Sequence, residues 1–549
     1  MDSEPKTNME LDSPDEQSPR LVLIVSDGSL MAGRPEQLAG RSTIHMPIAS
    51  PELPIPAIAT TVATGVDATT HGIVTAATIE PTTLETRLVQ ASERWFPTFW
   101  NSGNAVGIRT ALIDWPASIG DPDVSFLTPP PEIDNRMAQG TSVEDAALAL
   151  LREEFDPMEP LMLHRLQRAH ASLLEARDLL ASDSPPHVIG IVLRDPLPGG
   201  VHSGVIQHLQ RKIESFLSLL SEDTNVLLVH RRVIDQDDMP KPGYALEATF
   251  LIAGCTHEIE RATYLKTIGG ATYALANIPC PVGVFLPKFS FLPTQKEPAS
   301  QRTFPTHLTQ DDTDWQLIID NLSAVADSKP EVSRTGLTLI KRRFGILSTV
   351  AYSEKQWKRL EQYCVLLFKL RTDPRDYWAH VLALHQQEEF EQLPGAIELL
   401  RNEFPDTAIA KIAESLLLIE TSPESAKLLL EEIDPTQMTI PTAFGTFGRL
   451  AIRAELVENG MRAIKTAIVH AFELPADRAA LAQVYFSREE YETAFGAIGK
   501  VGSTGGHLSW RLLRLRILVA LDRTEDARQL ATSILQQHPA NPDAMQVLE

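Results

Sequence analysis

The chain has 549 residues, 43% of them hydrophobic and 22% charged. That is too long for one hydrophobic core and predicts about two to four domains. The formal net charge of −23 argues against nucleic acid as a partner, because neutralising phosphates takes clustered Lys and Arg. Cys255, Cys280 and Cys364 stand far apart without CxxC spacing. This argues against a thiolate zinc site and a disulfide framework, and it fits a reducing cytoplasm.

In chain order, residues 1–20 are acidic and polar and read as a disordered leader, with no basic segment leading into an apolar one as a signal peptide requires. No stretch approaches the ~18 uninterrupted apolar residues of a membrane span. From residue 21 to 286 the pattern is α/β. Apolar, β-branched runs at Leu21–Gly28, Ala105–Ile113, His187–Leu193, Asn225–His230 and Ala248–Gly254 predict buried strands. Helical stretches at Ser142–Phe155 and Ser203–Leu220 fall between some of them. This alternation predicts a doubly wound sheet, whose sites lie at the carboxyl ends of its strands.

Residues 287–330, rich in Pro, Thr and charge, read as an irregular linker, and the main boundary is placed near residue 330. Residues 331–549 are predicted all-helical. There Ala396, Ala426, Ala463, Ala494 and Ala527 recur within five phrases read as the second helices of hairpins, and Pro405, Pro435, Pro475 and Pro539 read as helix stops. A small residue at each helix crossing suits stacked hairpins. The pattern resembles a tetratricopeptide repeat array, most clearly in DRTEDARQLATSILQQHPANPDA. An unrelated helical bundle is the other reading.

Three ordered segments resemble the alkaline phosphatase / type I phosphodiesterase–nucleotide pyrophosphatase superfamily. They are LIVSDG with Asp27, PIPAIATTVATGVDATTHGIV with Thr64-Gly65 and His71-Gly72, and a later stretch carrying Trp100, Gly103, Gly107, Trp115 and Pro116. ATFLIAGC followed by TIGGATYALANIPCPVG is similar to the family's closing strand and helix.

The resemblance implies two divalent metals, typically zinc, held by Asp and His at the strand ends. They would activate a Thr or Ser hydroxyl for in-line displacement at phosphorus. Asp27 matches one family ligand. The nucleophile position falls on Ile55, which has no nucleophilic atom, so no catalytic residue is assigned. Asp195 and His202 stand where a family Asp/His pair falls, three residues wider than usual, and can be read as ligands or not. His230 is a relic ligand or a buried hydrogen-bonded histidine. Arg231 puts a fixed positive charge where the resemblance implies a neutral imidazole ligand, and guanidinium does not coordinate metal; with Arg232 it reads as a phosphate-binding pair or as a structural salt-bridge partner. The family's final His has no counterpart in MPKPGYALEATF. His71 reads as structural.

The leading expectation is a cytoplasmic, bacterial, catalytically degenerate phosphatase-like domain that needs no cofactor. It is fused to a tetratricopeptide-like scaffold that takes a peptide or helix from a protein partner. An active metal-dependent phosphoesterase or nucleotide phosphodiesterase, using two zinc ions around Asp27, Asp195, His202 and His230, is the alternative. A nucleotide or phosphate sensor without turnover is a third reading.

Overall fold

The computed structural model describes residues 19–26, 30, 35–49, 53–128, 160–193, 203–234, 243–252, 263–278, 280–281, 284, 314–469, 473–499, 501 and 507–548. The expected leader over 1–18, the helix at Ser142–Phe155 and most of the linker lie outside them. The chain divides into two compact units, Met1–Val350 and Ala351–Glu549.

The first unit holds strands β1 (Leu21–Ser26), β2 (Gln37–Leu38), β3 (Arg41–Ser42) and β4 (Ile44–Ala49), then helices α1 (Ile55–Thr64) and α2 (Ala68–His71). Next come β5 (Ala77–Ile79), β6 (Thr86–Leu88), α3 (Phe99–Asn104), β7 (Thr110–Ile113) and β8 (Phe126–Thr128). They are followed by α4 (Pro160–Leu180), β9 (Val188–Leu193), α5 (Ser203–Leu217), β10 (Asn225–Ile234), β11 (Gly243–Leu251), β12 (Thr263–Tyr264), α6 (Leu265–Leu275), α7 (Trp315–Ala324) and α8 (Pro330–Ser353).

Eight strands form one mixed sheet in the order β12-β4-β11-β10-β1-β9-β7-β8. Strands β10, β1, β9, β7 and β8 run parallel, and β11 runs antiparallel to both β10 and β4. All six residues of β1 are buried. Val22 and Ile24 join an apolar layer made with Leu166, Ala169 and Leu173 of α4 and Leu209 and Ile213 of α5. Leu21, Leu23 and Val25 are equally buried. A strand covered on both faces reads as an unbroken apolar run, which is why LVLIVS does not alternate.

Helix α1 meets α6 at a backbone-to-backbone crossing. A Cβ on Gly269 would lie 2.6 Å from both Gly65 Cα and the Thr61 carbonyl oxygen. Gly65 also ends α1 in the left-handed region, with φ 72°, and donates to Thr61. The two glycines thus join the second and last family-like segments of the sequence.

The second unit contains α9 (Trp357–Phe368), α10 (Pro374–Gln386), α11 (Leu393–Glu403), α12 (Ala408–Thr421), α13 (Pro423–Glu431), α14 (Ala443–Arg453) and α15 (Val457–Val469). It continues through α16 (Pro475–Ser487), α17 (Tyr491–Ile498), α18 (Leu508–Ala520), α19 (Thr524–Gln537) and α20 (Pro542–Leu548). Helices pack in consecutive pairs, and α12 also packs on α14, α14 on α16 and α16 on α18.

A recurring turn links the pairs. Lys355, Glu388, Glu455, Glu489 and Asp522 all have φ between 56° and 64° and follow one another at 33, 67, 34 and 33 residues. After each, the next amide donates five residues back: Gln356 to Ala351, Glu389 to Leu384, Leu456 to Ala451, Glu490 to Tyr485 and Arg523 to Leu518. This is the six-to-one closure of a Schellman motif, with a charged residue where glycine is usual.

The five recurring alanines are buried in second helices α11, α13, α15, α17 and α19. Pro475 corrects one expectation: it opens α16 instead of stopping a helix, because proline suits the first helical turn, where no amide partner is lost.

Candidate functional site

The parallel register sets the site's edge. Ser26 of β1 pairs with Leu193 of β9, and Val25 pairs with Val229 of β10. Asp27 and Arg194 therefore follow in sequence from neighbouring strand ends, and His230 lies level with Ser26. Asp27, Asp195 and His202 themselves lie outside the described residues, as do the side chains of Arg231 and Arg232 in β10. Ile55 is the first residue of α1, after the extended Pro54.

His230 is fully buried. Its neighbours are residues that sequence reasoning did not single out. Across β10 and β11 it pairs with Glu247, and Thr249 pairs across β11 and β4 with His45. Residues opposite one another, and those two apart on a strand, share a face. His230, Glu247, Thr249 and His45 consequently form one polar group, all at most 8% exposed.

His45 Nδ1 lies 3.0 Å from Thr249 Oγ1 and 3.4 Å from Glu247 Oε1. Its Nε2 lies 3.0 Å from the Pro35 carbonyl and 3.0 Å from Thr43 Oγ1. A carbonyl only accepts, so Nε2 carries a proton. Nδ1 stands between the Thr249 hydroxyl and the Glu247 carboxylate. His230 Nε2 is 3.4 Å from the same Thr249 hydroxyl. A glutamate inside ALEATFL was the available signal, since buried carboxylates are rare without a partner.

This arrangement links buried polar side chains of three strands, and the described N-terminus of α1 carries no hydroxyl or thiol. Among the described residues, no group of three or more His, Cys, Asp or Glu is placed to hold a metal ion.

The remaining family-like segments are built into the core. His71 Nδ1 accepts from the Ile73 amide at 3.1 Å, so its Nε2–H donates to Thr61 Oγ1 at 2.9 Å. Burial pushes its pKa down to about 3, against an opposing pull from Asp67, and Arg94 adds to the lowering. Phe99, Trp100 and Trp115 pack edge-to-face. The Trp100 indole donates to Asp121 at 2.7 Å, and buried Arg94 pairs with the same carboxylate.

No protein-family model matches the chain, and no curated protein matches it. Among solved structures it is similar to phosphonoacetate hydrolase from Sinorhizobium meliloti 1021, in complexes with phosphonoformate and with phosphonoacetate. Each comparison gives 17% identity and a TM-score of 0.26, covering 41% of this chain and 59% of the hydrolase. The chain thus spans less than two thirds of that protein's length. No described helix is long and apolar enough to cross a membrane.

Proposed function

We propose that the first unit is an alkaline-phosphatase-like domain without the family's covalent catalysis, joined to a tetratricopeptide-like scaffold that binds a protein partner. The observation that carries the first half is Ile55. It stands first in α1, where the resemblance puts the nucleophile, and an alkyl group can neither attack phosphorus nor be activated by a metal. The placement of His230 in a buried group with Glu247, Thr249 and His45 supports the same reading. The recurring Schellman turns, 33 to 34 residues apart with one double interval, support a repeat scaffold.

The test is a titration of the full chain with zinc in the presence of bis-p-nitrophenyl phosphate. The expected outcome is no zinc-dependent turnover. Zinc-dependent hydrolysis abolished by Asp27→Ala would replace this reading with the active phosphoesterase around Asp27, Asp195, His202 and His230. That alternative is favoured by one observation: β10, β1 and β9 are adjacent and parallel, so the segments after their ends start from one edge.

A further inference from the structure

Helices α4 and α5 pack side by side over β1, β9 and β10, and two imidazoles stand among the apolar side chains between them. His170 of α4 and His208 of α5 are 6% and 3% exposed, with ring centroids 6.4 Å apart in an edge-to-face arrangement. Leu166, Ala169 and Leu173 flank His170 along α4, and Val205, Leu209 and Ile213 flank His208 along α5. His170 Nδ1 is buried with no hydrogen-bond partner among the described residues.

Among the described residues, the charges acting on His170 are of one sign. Lys212 from α5 and Arg177 from α4 act on it as cations, and a protonated His208 would add a third. Strands β9 and β7 carry no ionisable side chain within VIGIVL and TALI. The nearby carboxylates are engaged elsewhere: Asp114, just past β7, is held by Arg168 and Ser172, Glu175 faces Arg168, and Glu214 accepts from Gln210. Burial pushes the His170 pKa down to about 4, and the Lys212 charge lowers it further.

We infer that His170 makes the α4–α5 seam acid-sensitive: the helices clasp the sheet while its ring is neutral and loosen when it takes up a proton. A proton on His170 puts a charge in a buried seam beside Lys212 and Arg177, where no described carboxylate acts on it, and opening into water relieves it. An ordinary histidine with a hydrogen-bonded carboxylate would respond in the opposite sense. The seam therefore holds at neutral pH and weakens as pH falls below about 6.5, the unfolded value.

Hydrogen exchange of the full chain, corrected for intrinsic exchange rates, tests this at pH 7.5 and pH 5. Peptides covering residues 166–176 and 205–217 are expected to open on the order of tenfold more often at pH 5, with β1 and α1 peptides changing less. His170→Gln should largely remove that local acid response, and His170→Leu, which keeps the seam apolar, serves if the glutamine variant does not fold. An unchanged pH response in the variant would overturn the inference, as would acid-induced opening spread equally over β1 and α1.

Discussion

Replacing Gly269 by alanine sets two effects of opposite sign against each other. Alanine in a helix interior is favoured over glycine by about 1 kcal/mol through backbone entropy. Against this, the new Cβ would sit 2.6 Å from Gly65 Cα and from the Thr61 carbonyl, and 2.8 Å from the Gly65 nitrogen. These are backbone atoms of a helix that is itself buried on nearly every side, so no rotamer change relieves the overlap. Helix α1 must move away from α6 by most of an ångström, and overpacking of this kind costs about 1–3 kcal/mol or more. Because backbone atoms must move, the steric cost lies at the upper end of that range and wins, for a net loss of up to about 2 kcal/mol. Gly395→Ala is the control, because Gly395 lies in α11 with open space around its virtual Cβ and keeps only the propensity gain. Urea denaturation followed by circular dichroism, with an intensity probe for the first unit's buried tryptophans, would compare the two variants with the parent. A Gly269→Ala protein whose first-unit midpoint equals or exceeds the parent's would refute the close-crossing argument.

Three further outcomes are expected. Asp121→Ala leaves Arg94 and the Trp100 indole buried without their shared acceptor; it should cost about 3–5 kcal/mol by denaturant unfolding, since breaking a buried pair strands a charge. His71 has a folded pKa of about 3 against 6.5 unfolded, so its neutral form stabilises fully above pH 6.5. That contribution drains away as pH falls from 6.5 towards 3, by about 5 kcal/mol at most; His71→Gln should flatten the stability–pH curve in this window. In the second unit, Gly448→Ala places a Cβ 2.8 Å from the Gly460 carbonyl of the neighbouring α15; thermal melts should show a lowered transition for that unit, by a few degrees.

Strands β1, β9 and β10 were legible because burial on both faces writes them as β-branched runs. β4 was not, because IHMPIA combines a proline and a histidine that fit only an antiparallel neighbour lying some 200 residues away in sequence, at Thr249 and Glu247. For the same reason the polar group around His230 could not be assembled from spacing. Its members come from three strands whose order no local pattern encodes. The direction of β11 was equally hidden, since an apolar run does not show which way it runs. The helical hairpins were legible through their alanines, which pack at crossings. Their turns were not, since Lys355, Glu388, Glu455, Glu489 and Asp522 occupy a left-handed position that glycine would have advertised.

Those turns leave room for improvement at known addresses. A non-glycine residue held in the left-handed region carries about 1 kcal/mol of backbone strain, and four of the five side chains point into solvent at hairpin corners. Glycine or asparagine at Glu388, Glu455, Glu489 and Asp522 would relax each corner, at Glu455 with loss of an exposed ion pair to Lys427. The gains should add, because the corners are separated by whole hairpins. The repeat therefore supplies a graded series of stabilised scaffolds differing only at surface corners, a ruler for asking how much rigidity the proposed partner binding tolerates.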